Sequence, residues 1–391
     1  MLGLLVDEFG PDERRVNRAI QEYLDASGAA RRRAESRLRL ALGSPRIRIV
    51  KQFNLLPDGV KFLVDLRADI LRYLRAQPEL EPLDDELYSL FGSWFDIGNL
   101  ELTRITWHSP AILLEKLIAY EAVHEIQSWT DLRNRLDSDR RCYAFFHPRM
   151  PEEPLIFVEI ALTREMADNI HHLLDEAAPR LDPNAAQAAI FYSISNTQSG
   201  LRGVSFGGFL IKRVADMLAA DFQKLKIFAT LSPIPGYRRW LDARLKAKDE
   251  TLFGKGERQH LCKAAETDDP YAAVPDLIVR EYAANAKVPE ALRPTLMQLC
   301  ARYLAAEKEA AVDGVAHPLD PVARFHLGNG ARLERINWLA DTSARGVKQS
   351  AGLMVNYLYK LDDIEQNHEA YAREGRVAVS DQVKRLLKKT S

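Results

Sequence analysis

Residues Ala188 to Val214 read AAIFYSISNTQSGLRGVSFGGFLIKRV. Ala188 to Ser195 has the apolar, aromatic and β-branched content of a buried strand. Gly200, Gly203, Gly207 and Gly208 then break the pattern, and the apolar spacing from Phe209 to about Phe222 predicts a helix. A strand that runs through glycines into a helix brings unpaired backbone N–H groups and the positive helix end to one place, which suits a phosphate. The spacing is neither G-x-G-x-x-G nor G-x-x-x-x-G-K-[ST], so neither a dinucleotide fingerprint nor a P-loop follows. Glycines that merely let the helix pack closely on a sheet explain the segment about as well. Gly203-Val204-Ser205-Phe206-Gly207 also matches a G-x-S-x-G nucleophile elbow, but the polar run Asn196 to Arg202 is not the buried strand that should feed it.

Downstream, Leu225 to Leu231 is a second buried strand, ending in Ser232-Pro233-Ile234-Pro235-Gly236 ahead of a helix from Tyr237. Pro233 pushes Ser232 into an extended conformation at that strand end, although a serine there is more often a turn residue. Upstream, Arg141 to Phe146 and Leu155 to Leu162 are strands joined through the proline-marked connection Pro148 to Pro154, so Cys142 to Leu162 reads as a β-hairpin. Leu100 to Trp107 alternates like another strand, and His108-Ser109-Pro110 caps a helix starting at Ala111. Residues 1–93 are helical, with faces such as Val16, Ala19, Ile20, Tyr23 and Leu24, and make a small bundle. Glu257 to Val312 is helical again and reads as an insertion, followed by the mixed region Pro321 to Lys360. The fold class is therefore α+β, divided into a helical module over 1–93 and a mixed α/β domain over 94–391.

The chain has 391 residues, with 54 Lys and Arg against 55 Asp and Glu, a balance that excludes coating a nucleic acid or an anionic membrane. The arginines at 31, 32, 33, 37, 39, 46 and 48 have no interleaved aromatics and are expected to be a solvated face or a subunit contact. The uncharged stretch between Asp182 and Arg202 carries too many polar side chains to span a bilayer. Neither a leader pattern nor a terminal S-K-L address is read, which leaves a cytoplasmic expectation. Cys142, Cys262 and Cys300 are far apart, so neither a disulfide framework nor a cysteine zinc site is expected. No H-E-x-x-H occurs, and His171-His172 reads as a plain helix feature. His326 lies in the glycine-containing stretch His326-Leu327-Gly328-Asn329-Gly330, read as a loop. By composition alone a structural role for it is favoured.

Several blocks, taken in order, carry a resemblance that no single motif does: LTRITWHSP (Leu102 to Pro110), RRCYAFFHPRMPEEPLIFVEIALT (Arg140 to Thr163), the Ala188 to Val214 stretch, LSPIPGYRRW (Leu231 to Trp240) and VARFHLGNGARLERINWLADTSARGVKQSAGLMVNYLY (Val322 to Tyr359). Together they resemble the malonyl-CoA decarboxylase family. The resemblance implies a helical N-terminal domain and a catalytic domain of the GNAT acetyltransferase fold. In that fold a loop after a central strand holds the CoA pyrophosphate, here Arg202, Gly203, Val204, Ser205, Phe206, Gly207 and Gly208. The usual Q/R-x-x-G-x-G/A pattern is met only loosely there.

The family's catalytic serine and histidine fall on Ser232 and His326, with Tyr359 and Asn337 as secondary positions in the matching block. The implied reaction turns malonyl-CoA into acetyl-CoA and CO2 without metal or other cofactor, in a homo-oligomer, dimer or tetramer. On this view His326 is a general acid because imidazole titrates near neutrality, Ser232 hydrogen-bonds the malonyl carboxylate or the histidine, and backbone N–H groups at Ser193 to Ser195 hold the thioester oxygen. Two other enzyme classes stay open: a GNAT-type acyltransferase needing an amine acceptor, and a serine thioesterase using Ser205. A CoA-responsive interaction protein, binding without turnover, is the non-enzymatic alternative.

Overall fold

The structure is a computed structural model and describes residues 10–204, 210–283, 292–309 and 314–388. In chain order the helices are α1 (Glu13–Asp25), α2 (Gly28–Leu42), α3 (Arg46–Gln52), α4 (Gly59–Tyr73), α5 (Glu81–Trp94), α6 (Ala111–Tyr120), α7 (Trp129–Arg135), α8 (Ile170–Leu174) and α9 (Leu210–Asp221). They continue with α10 (Tyr237–Lys246), α11 (Lys255–Ala265), α12 (Pro270–Ala283), α13 (Leu292–Ala305), α14 (Pro321–Gly328), α15 (Ala344–Ser350), α16 (Ile364–Glu374) and α17 (Asp381–Lys388). The strands are β1 (Glu101–Ile105), β2 (Arg140–His147), β3 (Met150–Thr163), β4 (Ala188–Asn196), β5 (Ile227–Thr230), β6 (Ser232–Pro233), β7 (Arg332–Asn337) and β8 (Met354–Leu358). Their order is β1-β2-β3-β4-β5-β8-β6, with β7 also paired to β8. This is the α+β class expected, with a helical N-terminal region ahead of a mixed sheet and helices α11 to α13 where the insertion is expected.

The chain forms two compact units. One comprises residues 1–103, 144–156 and 196–207; the other comprises 104–143, 157–195 and 208–391. In the first, α4 buries Val60, Leu63, Val64 and Ile70 at 1% exposure or less, positions that repeat at helical spacing. Helix α5 contributes Phe91, which meets Phe95 edge to face at 5.6 Å, and Phe95 in turn packs on His147 at 4.9 Å. The arginine-rich stretch is mostly surface, as in the exposed pairs Arg37–Glu22 and Arg39–Glu35. Arg46 departs from that expectation: it is 2% exposed and bound through two bonds of 2.8 and 3.0 Å to Glu86.

In the second unit the core groups Ala188, Ile190 and Tyr192 of β4 with Ala229, Leu231 and Met354, and with Ile170 and Leu173 of α8. Parallel β4 and β5 pair from Ala188↔Ile227 to Phe191↔Thr230, with α9 in the connection between them. A strand, a helix and a second strand thus follow one another as the sequence predicts, and the two strands run parallel. Strand β3 begins at Met150, so the segment read as a proline-marked connection is largely strand. Pro151 and Pro154 are accommodated near its start, and residues 155–162 behind them are buried on both faces, which is why the run is apolar except for Glu159.

Candidate active site

Ser232 sits in β6, whose residues pair with β8 as Ser232↔Val355 and Pro233↔Met354, while Ala229 of β5 pairs with Leu358. The extended conformation required by the following proline is therefore also a sheet conformation. His326 is carried by α14. The stretch read as a loop is helical because Asp320 caps it, accepting from Ala323 N at 2.9 Å, and Pro321 suits the first turn. Position 326 falls in the last turn of that helix, so its ring is fixed by helix and core rather than by a mobile glycine segment.

The two meet. Ser232 Oγ is 3.1 Å from His326 Nε2, and on the far side of the ring His326 Nδ1 is 2.8 Å from the Tyr359 hydroxyl. Ser232 Oγ also donates to Thr230 Oγ1 at 2.8 Å, and Thr230 Oγ1 accepts the Tyr357 N–H at 3.2 Å. With the serine proton directed to Thr230, one orientation satisfies the array: Tyr359 donates to Nδ1, and Nε2–H donates to Ser232. Tyr357 stacks on the imidazole at 4.6 Å between centroids. Ser232, His326, Tyr359 and Thr230 are 5%, 3%, 1% and 0% exposed. A polar array this dry holds only if its members satisfy one another.

Burial alone drives the His326 pKa down to about 3. The expectation of a histidine titrating near neutrality is thereby corrected: in these buried surroundings the ring is neutral at pH 7, because nothing charged offsets the cost of desolvating an imidazolium. Burial likewise pushes the Tyr359 hydroxyl well above its ordinary value, so it stays a donor.

Asn337 is one layer removed. It donates to Asn356 Oδ1 at 2.8 Å, and Asn356 Nδ2 donates to the Thr230 carbonyl at 2.6 Å. It steadies β5 behind Thr230. Sequence reasoning missed Thr230, Asn356 and Asp320. The Asp-Pro pair ahead of Val322 was the available signal for the last, as a helix start.

Ser193 and Ser195 turn their hydroxyls to the buried Glu121 carboxylate, at 2.8 to 2.9 Å and 3.3 Å. Glu121 also accepts the N–H groups of Val123 and His124 at 2.7 Å each, so this cluster ties the α6 exit to β4. His171 accepts the Thr342 N–H at 3.0 Å, a structural contact, in agreement with the plain reading of that pair. Of the loop expected to hold CoA, Arg202, Gly203 and Val204 are described. Ser205, Phe206, Gly207 and Gly208 lie outside the described residues, as does Phe209. Among the described residues no group of three or more His, Cys, Asp or Glu side chains could hold a metal ion. Among them too, no helix is long and apolar enough to cross a membrane.

Fold and site together define an α+β protein whose sheet and capped helix present a buried serine, histidine and tyrosine to one another. Residues 98–391 match the family described as malonyl-CoA decarboxylase C-terminal domain, and residues 9–95 match malonyl-CoA decarboxylase N-terminal domain. The chain belongs to the malonyl-CoA decarboxylase family. Similar proteins include the mitochondrial malonyl-CoA decarboxylases of Anser anser anser, 38% identical over 98% of this chain and 78% of that protein, and of Rattus norvegicus, 39% identical over 99% and 81%. Among solved structures, malonyl-CoA decarboxylase from Rhodopseudomonas palustris matches with a TM-score of 0.85 and 43% identity, covering 98% of this chain and 89% of that one. The Cupriavidus metallidurans enzyme matches at 0.76 and 44%, covering 99% and 98%.

Proposed function

We infer that this chain converts malonyl-CoA to acetyl-CoA and CO2, with Ser232 and His326 carrying the chemistry and Arg202 to Gly208 holding the CoA pyrophosphate. The observation that supports the catalytic assignment is the 3.1 Å contact between Ser232 Oγ and His326 Nε2 in a family of decarboxylases. In the reaction the bond between the carboxylate carbon and the α carbon breaks. Its electron pair passes into the thioester carbonyl as an enolate, and one proton must then reach the α carbon.

The neutral state of His326 in the free protein fits a substrate-coupled proton uptake. A malonyl carboxylate placed beside Nε2 supplies the opposite charge that the buried surroundings do not, raises the imidazole pKa, and lets the ring take up a proton at Nδ1 as substrate binds, the Tyr359 hydroxyl turning to accept that N–H. Loss of CO2 moves that charge from the carboxylate to the enolate, and the imidazolium then gives its Nε2 proton to the enolate carbon. One proton is consumed overall, as the stoichiometry demands. Ser232, held between Thr230 and His326, can turn its O–H to the substrate carboxylate or thioester oxygen, where a donor fixed in place beforehand is worth most. Tyr359 keeps the ring oriented through Nδ1.

No metal or other cofactor enters this scheme. We further place the division between helical and catalytic modules at residues 93 and 94, and propose a cytoplasmic homo-oligomer, dimer or tetramer. Incubation with malonyl-CoA alone, followed by mass spectrometry, tests the assignment of activity. Acetyl-CoA and CO2 should form without an amine acceptor. Release of free CoA, dependence on an added amine, or binding without turnover would each overturn it.

A further inference from the structure

Helix α4 places Arg67 against the start of the glycine segment that follows β4. The guanidinium is 3% exposed. Its Nε donates to Asp84 Oδ1 of α5 at 2.7 Å, while Nη1 donates to the carbonyls of Gly200 at 2.7 Å and Arg202 at 3.1 Å. The same guanidinium lies 5.3 Å from the centre of the Tyr88 ring, and Tyr88 Oη donates to the Gly203 carbonyl at 3.4 Å. Three carbonyls of one short loop are thus turned toward two helices of the N-terminal region.

Gly200 is the contact point. A Cβ there would fall 1.8 Å from the Val64 carbonyl oxygen, so the loop reaches α4 only because residue 200 is glycine. Gly203 adopts φ +81, a left-handed conformation that a side chain disfavours. A buried guanidinium is costly unless its donors are matched, and here Asp84 balances its charge while two loop carbonyls accept from Nη1. In a trans peptide the N–H points away from the C=O, so holding the Arg202 carbonyl to Arg67 aims the Gly203 N–H outward, away from the helices. An outward backbone N–H in a glycine loop ahead of a helix is the donor a diphosphate uses.

We propose that Arg67 is a positioning residue for the CoA diphosphate, acting through the Gly200 and Arg202 carbonyls, so that the N-terminal helices set the conformation of residues 200–203, where the CoA loop begins. This rests on the reading of Arg202 to Gly208 as that loop. The test compares malonyl-CoA with malonyl-pantetheine, which has the thioester but no diphosphate. Arg67→Lys, which keeps the buried charge but loses the planar fork, is expected to raise KM for malonyl-CoA about tenfold with kcat within about threefold. Tyr88→Phe is expected to raise KM about twofold to threefold, and for both variants kcat/KM on malonyl-pantetheine should stay within about twofold of the parent.

Equal losses on both thioesters for Arg67→Lys would mean a general structural role and overturn the proposal, as would an unchanged KM. Arg202→Glu separates diphosphate binding by the loop from its positioning by Arg67. If it discriminates between the thioesters and Arg67→Lys does not, the loop holds the diphosphate and Arg67 does not position it. If neither variant discriminates, the loop reading fails together with the proposal.

Discussion

Ser232 Oγ and His326 Nε2 stand 3.1 Å apart although 94 residues separate them in the chain. Two local devices make the meeting possible. Pro233 and the β6–β8 pairing hold the serine in an extended segment, and the Asp320 cap fixes the helix that carries the histidine. Ser232→Ala removes the hydroxyl and leaves β6 intact, so kcat on malonyl-CoA should fall by about two to three orders of magnitude, as for loss of a preorganised donor. Acetyl-CoA formation read by chromatography checks it, with an unchanged circular dichroism spectrum as the control for folding.

Tyr359→Phe removes the partner of Nδ1 and leaves a buried nitrogen unsatisfied. A stability loss of about 1–3 kcal/mol is expected from that orphaned group. Activity should drop about tenfold, because the ring loses its orienter but keeps its contact with Ser232. Denaturant titration and kcat measured on the same preparation would show whether the two effects separate.

Burial gives His326 a pKa of about 3 and His124 one of about 4, whereas in the unfolded chain a histidine titrates near 6.5. The unfolded state therefore binds more protons below about pH 6.5, and the contribution of these groups to stability is full above that value and lost as pH falls toward 3 to 4. Glu159, pushed up to about 7 by its own burial, has the opposite effect as pH falls from 7, so the total slope is not diagnostic. The difference between parent and His326→Asn is. Between roughly pH 6 and 4 the variant should lose stability less steeply, by about 1.4 kcal/mol per pH unit for one proton, in urea unfolding at several pH values.

Gly236→Ala tests the support beneath the helix cap. A Cβ at 236 would lie 2.1 Å from the Tyr303 hydroxyl, which is 3.3 Å from Asp320 Oδ2. The substitution should cost about 1–3 kcal/mol through overpacking and lower kcat by disturbing the position of His326. The double variant Gly236→Ala with Tyr303→Phe removes the clashing oxygen and should recover part of both losses, read by thermal melting and turnover.

Much of this architecture is legible in the residues. The runs Leu155 to Leu162, Ala188 to Ser195 and Leu225 to Leu231 announce strands, because burial on both faces calls for a mostly apolar sequence. Two local patterns mislead for physical reasons. Prolines at 151 and 154 suggest a turn, yet they fit near the start of a strand; and the glycines after His326 suggest a loop, although Asp320-Pro321 ahead of it is a helix start. The pairing of Ser232 with His326 was reachable only through family resemblance, since no local pattern specifies a contact between β6 and α14. Thr230 and Asp320 were missed for the same reason: their roles arise from what the fold places opposite them. Arg67 looks like any helix arginine until Gly200 is packed against α4.

In the proposed mechanism His326 delivers the proton that completes decarboxylation. The most direct test is the rate of acetyl-CoA formation from saturating malonyl-CoA by His326→Asn beside the parent. A kcat lower by about two to three orders of magnitude is expected, as for loss of a general acid, with acetyl-CoA affinity within about twofold of the parent. Turnover near the parent rate, in a variant shown to be folded, would contradict it.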